Sequence, residues 1–109
     1  MTRAEDVDAI SKELADGLRQ LYGPKLRELI LYGSWARGDA REDSDIDFLA
    51  VLDSVDDYLA ELRRVTKISS PITMARNVYV SVQPISLNEY EKGEESFVLN
   101  VQKEGRRVA

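Results

Sequence analysis

The chain has 109 residues, with 15 Lys and Arg against 20 Asp and Glu and a formal net charge of −5. That length supports one modest core, so a single domain over residues 1–109 is expected, and the negative balance argues against nucleic acid or an anionic membrane surface as the main partner. With neither cysteine nor histidine, disulfides, thiolate chemistry, imidazole bases and the usual zinc sites are excluded, which leaves carboxylates, hydroxyls, Lys, Arg or a bound hard cation.

Val7, Ile10, Leu14, Leu18 and Leu21 recur at three- and four-residue spacing, and Thr2 with Glu5 has the form of a capping box, so a helix is predicted over 3–22. Gly23-Pro24 ends it. The short apolar run Leu29-Ile30-Leu31-Tyr32 suits a strand buried on both faces, and Gly33-Ser34 follows it as a turn. A second strand is predicted over 45–52. Alternation puts Asp45, Asp47, Leu49 and Val51 on one face and Ile46, Phe48, Ala50 and Leu52 on the other.

Ser54 and Asp57 can cap a helix with the stripe Val55, Tyr58, Leu59, Leu62 and Val65, expected to break near Ser69-Ser70-Pro71. Val78, Val80 and Val82 mark a third strand, whose other face carries Tyr79, Ser81 and Gln83. Two short helices (86–89 and 96–103), a stop at Gly105 and a last short strand at Arg106-Arg107-Val108 complete the reading. No window is apolar enough to span a bilayer. Glu5, Asp6 and Asp8 break the order of a secretion signal, so a cytoplasmic location is expected.

The densest chemical signal lies between the first two strands. A glycine after a strand lets the backbone turn sharply and lets a ligand come close, and the first amides of the next helix are donors suited to phosphate oxygens. Ser34 adds a hydroxyl, and Arg37 can face the same anion one turn later. Two aspartates side by side on one strand face repel each other unless a cation lies between them, and a hard divalent ion with open positions for phosphate is the natural one. Each element alone has a bland counterpart, as a plain turn, a surface arginine or a solvated strand start. Their order on strand, turn, helix, loop and strand is far more specific.

That order resembles the signature of the minimal nucleotidyltransferases of the DNA polymerase β-like superfamily: Gly33-Ser34, ten residues from Trp35 to Ser44, then Asp45-x-Asp47, with Ala36-Arg37-Gly38 matched as well. The resemblance implies an α/β (α+β) fold with a small mixed sheet of about four strands and helices mainly on one side. It implies ATP as donor and Mg2+ held by Asp45 and Asp47, which would be both metal ligands and catalytic residues. Gly33, Ser34, Arg37 and Ser44 would hold the nucleotide. Small members of this family act as antitoxins that transfer AMP to a tyrosine of a partner HEPN-domain toxin, and that is the function expected here. The larger relatives that modify aminoglycosides carry an acceptor-binding region for which this chain has no room.

One feature departs from the family pattern. A third carboxylate is expected on the polar face of the third strand, where this sequence has Tyr79, Ser81 and Gln83. Three explanations follow: two aspartates with water suffice; Glu89 or Asp43 reaches in from another position; or the chain neutralises its partner by binding alone. The open side of the nucleotide cleft also calls for cover, by the partner or by a homodimer, with Trp35, Phe97 and Tyr90 as candidate contact residues.

Overall fold

The computed structural model describes residues 2–109. Helix α1 (Ala4–Tyr22) is capped one residue later than the sequence pattern suggests: the Asp6 carboxylate, rather than Glu5, accepts from the Arg3 N–H at 2.8 Å. Four residues of the expected stripe, Val7, Ile10, Leu14 and Leu18, are buried, whereas Leu21 in the last turn is 44% exposed. A single 3-10 turn (Gly23–Lys25) then redirects the chain into strand β1 (Leu26–Tyr32), and the one-turn helix α2 (Ser34–Arg37) and a loop lead to β2 (Ile46–Leu52). The crossover helix α3 (Tyr58–Arg76) feeds β3 (Val80–Ser86). Helices α4 (Leu87–Lys92) and α5 (Ser96–Glu104) precede the two-residue strand β4 (Arg106–Arg107).

The sheet has four strands in the order β3-β2-β1-β4, with β1 antiparallel to β2 and β4, and β2 parallel to β3. Strand alternation sorts the core as expected. Ile46, Phe48 and Ala50 pack with Leu29, Leu31 and the stripes of α1 and α3, while Leu49, Val51 and Ile30 pack with Val98 and Val101 of α5 on the other face. Both long helices thus cover one face and the two short ones part of the other.

Helix α3 differs from the sequence reading in three respects. Its cap is Asp57, whose carboxylate accepts from the Ala60 N–H at 3.2 Å, and Val55 lies outside the helix. Tyr58 and Leu59 are exposed, while Val65, Ser69 and Ile72 are the buried positions. The helix also runs through Pro71 without ending. An interior proline costs about 3 kcal/mol, but Pro71 is exposed while Ser69, two residues before it, and Ile72, directly after it, are buried, so packing holds the last turns in place. Asn77, left-handed at φ 54°, terminates the helix instead. The third strand consequently starts at Val80, with Val78 and Tyr79 just before it.

Candidate functional site

Gly33 links β1 to α2 at φ 75° and ψ −157°, a conformation that disfavours any side chain. A Cβ built there would stand 2.6 Å from Asp47 Oδ2. The turn and the second carboxylate are therefore in contact across fourteen residues of sequence, and the glycine is what permits it. The Gly33 carbonyl accepts from the N–H groups of Ala36 and Arg37, and the Ser34 carbonyl from those of Gly38 and Asp39. As the first residues of the helix, Ser34 and Trp35 have no intrahelical acceptor for their own N–H groups. Gly38, at φ 88°, closes the turn after a single revolution.

The returning loop is held by two side chains. Trp35 donates its indole N–H to the Ser44 carbonyl at 3.4 Å, and the Ser44 hydroxyl accepts from the Arg41 N–H at 2.8 Å. Asp45 then lies exposed just before β2, and Asp47 is partly buried within it. Register sets Asp47 between Tyr32 of β1 and Ser81 of β3. Partial burial is the main cause that raises the Asp47 carboxyl above its usual range; the Asp45 charge adds to it and Arg37 opposes it. The phenol of Tyr32 is pushed up to about 12, first by burial and then by Asp47. Among the described residues neither the Asp45 nor the Asp47 carboxylate accepts a hydrogen bond or forms an ion pair. Two like charges, one of them half-desolvated and both without a protein donor, form a fitting ligand set for a hard divalent cation.

This electrostatic strain has a consequence for stability. A carboxyl whose folded value is raised favours folding while it is protonated, and that contribution is lost as pH rises through the folded value. At neutral pH without divalent cations, Asp47→Asn should therefore raise the melting temperature, by the equivalent of up to about 1 kcal/mol, the scale of one surface charge contact. The gain should shrink as pH falls through the folded value and disappear well below the ordinary aspartate value of about 3.9, where folded and unfolded states are both protonated. Thermal melts of both proteins at the two pH values check this, and a variant less stable than the parent at neutral pH would refute it.

Gly33, Ser34, Asp45 and Asp47 thus come together at one end of the sheet. Arg37 is near enough to act on Asp47 through its charge, yet its guanidinium is tied to Asp39 at 3.3 Å and to Glu104 at 3.4 Å, across from α5. The hydroxyl of Ser44 braces the loop. Neither Asp43 nor Glu89 joins the pair: among the described residues no three acidic side chains form a metal-holding group. Trp35 packs against the main core and Tyr90 against the smaller one, while Phe97 meets Tyr32 edge to face at 5.3 Å. Sequence reasoning missed Tyr32 and Glu104. The first could be found only from the β1–β2 register, the second only from the packing of α5. Among the described residues no helix is long and apolar enough to cross a membrane.

Comparison with known proteins bears on the family and the fold. Residues 11–106 match the family described as "Nucleotidyltransferase domain". A candidate protein adenylyltransferase of Methanocaldococcus jannaschii is 37% identical over 95 residues, which are 87% of this chain and 90% of that protein. Among solved structures, a candidate nucleotidyltransferase from Sulfolobus solfataricus superposes with a TM-score of 0.71 at 19% identity, over 95% of this chain and 80% of its own. A complex of a tri-AMPylated Shewanella oneidensis HEPN toxin with an MNT antitoxin matches with a TM-score of 0.57 at 20% identity, over 94% of this chain and 71% of that one. At these identities the structural likenesses establish the nucleotidyltransferase fold.

Proposed function

The chain belongs to the nucleotidyltransferase domain family, and from that premise we propose that it transfers AMP from magnesium-bound ATP to a tyrosine hydroxyl of a HEPN-domain toxin, acting as that toxin's antitoxin. The observation that carries the proposal is the contact between the Gly33 turn and Asp47. It brings the loop that can receive phosphate oxygens and the carboxylates that can hold a cation into one place. The naming of a relative as an adenylyltransferase, and of an AMPylated toxin in a matched complex, supports AMP as the group transferred and a HEPN protein as its acceptor.

In this mechanism the side-chain-free face of Gly33 admits the triphosphate, and the Ser34 hydroxyl and the amides of Ser34 and Trp35 donate to it. Arg37 adds positive charge from the edge. Asp45 and Asp47 would hold a magnesium ion, and the chemistry it would supply is charge neutralisation on the triphosphate. The acceptor phenol oxygen forms a bond to the α-phosphorus, the bond from that phosphorus to the bridging oxygen of pyrophosphate breaks, and the phenol proton passes to solvent. Fixing both reactants in line, together with neutralising charge on the departing pyrophosphate, is how such a site accelerates transfer.

A second reading is favoured by one observation: Ser81 stands beside Asp47 in the sheet where an acid would complete the set. In that reading the fold is retained for binding, and neutralisation needs no transfer. Expression of the toxin in cells with either the native chain or the Asp45→Asn/Asp47→Asn variant separates the two. Transfer chemistry predicts that the variant fails to restore growth although the two chains still associate. Full rescue by the variant would favour the binding antitoxin.

A further inference from the structure

Strand β3 is one of the two edge strands of the sheet, and between its free edge and α3 runs a groove of about 420 Å³. Tyr58, Thr66, Ser70, Thr73, Met74 and Tyr79 are among its lining residues, and none of the residues that line it is charged, in a chain that is 32% charged overall. Met74 is 83% and Tyr79 58% exposed. The groove adjoins the acidic pair. The Ile46 N–H, between Asp45 and Asp47, donates to the Tyr79 carbonyl at 2.9 Å, and Ser81 is in register with Asp47.

The backbone at this edge is selectively open. In a parallel ladder alternate residues turn both polar groups toward the same neighbour. The Ile46–Tyr79 bond therefore turns Tyr79, Ser81, Gln83 and Ile85 toward β2, and Val80, Val82 and Pro84 outward. The Val80 N–H is capped by Thr73 Oγ1 at 2.9 Å, and Pro84 has no N–H. What remains is the Val82 N–H flanked by outward carbonyls, enough for a short added strand. Pairing with a second copy is poorly served. A two-fold antiparallel arrangement about Val82 would set Val80 of one copy against Pro84 of the other, where one donor is taken and the other does not exist.

We propose that this groove is the docking site for the acceptor, which lays an extended, uncharged segment along β3 and so presents its hydroxyl-bearing residue to Asp45 and Asp47. The proposal rests on the transfer reading above and adds how the acceptor is selected: by main-chain pairing at Val82 and by exclusion of charge from the groove.

The test uses the full ¹⁵N-labelled chain and, as probe, a capped, uncharged heptapeptide with a central tyrosine. The peptide should shift the amides of Val80, Val82, Thr73 and Met74. Met74→Glu, at a solvent-facing side chain, should weaken it by about ten-fold, because a charge would then have to be desolvated against an uncharged segment. Shifts induced by ATP at Gly33 and Ser34 should stay unchanged in that variant. With ATP and magnesium, the same substitution should raise KM for the peptide by a similar factor and leave kcat alone. Absence of groove shifts at millimolar peptide, or an unaltered affinity in Met74→Glu, overturns the proposal. So does a Val82 shift that follows chain concentration without peptide and accompanies a dimer in sedimentation. Groove shifts without AMP on the peptide would uphold the docking site and count against the transfer reading, whereas AMP on the peptide without groove shifts would do the reverse.

Discussion

Gly33→Ala is expected to reduce AMP transfer at least about 100-fold while the protein still folds. Two effects combine at this position. The backbone conformation, φ 75° with ψ −157°, costs a residue with a Cβ roughly 1–3 kcal/mol, and the added methyl carbon would sit 2.6 Å from Asp47 Oδ2, well inside contact distance. Either the carboxylate swings away or the turn opens, and both displace the proposed cation ligand from the phosphate loop. A displacement near 1 Å between reacting groups typically costs about two orders of magnitude. Steady-state transfer assays with circular dichroism as the folding control check the prediction. Gly38→Ala is the informative comparison: Gly38 also has a positive φ, but nothing lies within 4 Å of its Cβ position. It should lose stability of a similar size and retain most of the transfer.

The Asp45→Asn/Asp47→Asn variant should lose more, at least about 1,000-fold in kcat, since a cation held by the pair as proposed would contribute several kcal/mol to such a transition state. The folded state should survive. Asp45 is exposed and Asp47 only partly buried, and replacing two repelling carboxylates by amides removes an unfavourable contact. Loss of transfer with an undiminished melting temperature would mark the pair as chemical in role. Retention of transfer within ten-fold would show that the cation is held elsewhere.

Which parts of this architecture the sequence reveals follows from the range of the forces involved. The stripe of α1 and the two-faced burial of β1 and β2 are local periodicities, and the structure follows them except at Leu21, where α1 runs past the core. The sharing of one face by Asp47, Leu49 and Val51 is a geometric property of any strand. At Pro71 the local rule fails, because the buried residues on each side of the proline hold the helix together more strongly than the proline disrupts it. The motif from Gly33 to Asp47 is legible as spacing, but the approach of Gly33 to Asp47 depends on the pairing of Tyr32 with Asp47. Arg37 illustrates the same limit. Its position one turn after Ser34 suggests a free cation for phosphate, whereas its guanidinium is shared with Asp39 and with Glu104, which only the fold brings near. The absence of a third acid on β3 is plain from residues 79, 81 and 83, but that neither Asp43 nor Glu89 replaces it emerges only in three dimensions.

The most direct test of the proposed activity is the intact mass of a purified HEPN-domain toxin after incubation with this chain, ATP and magnesium. The transfer account predicts discrete additions of one AMP each, mapped to tyrosine, absent without magnesium and absent with the Asp45→Asn/Asp47→Asn variant. An unmodified toxin held in a stable complex with the chain would contradict it and leave a nucleotidyltransferase fold that works by binding.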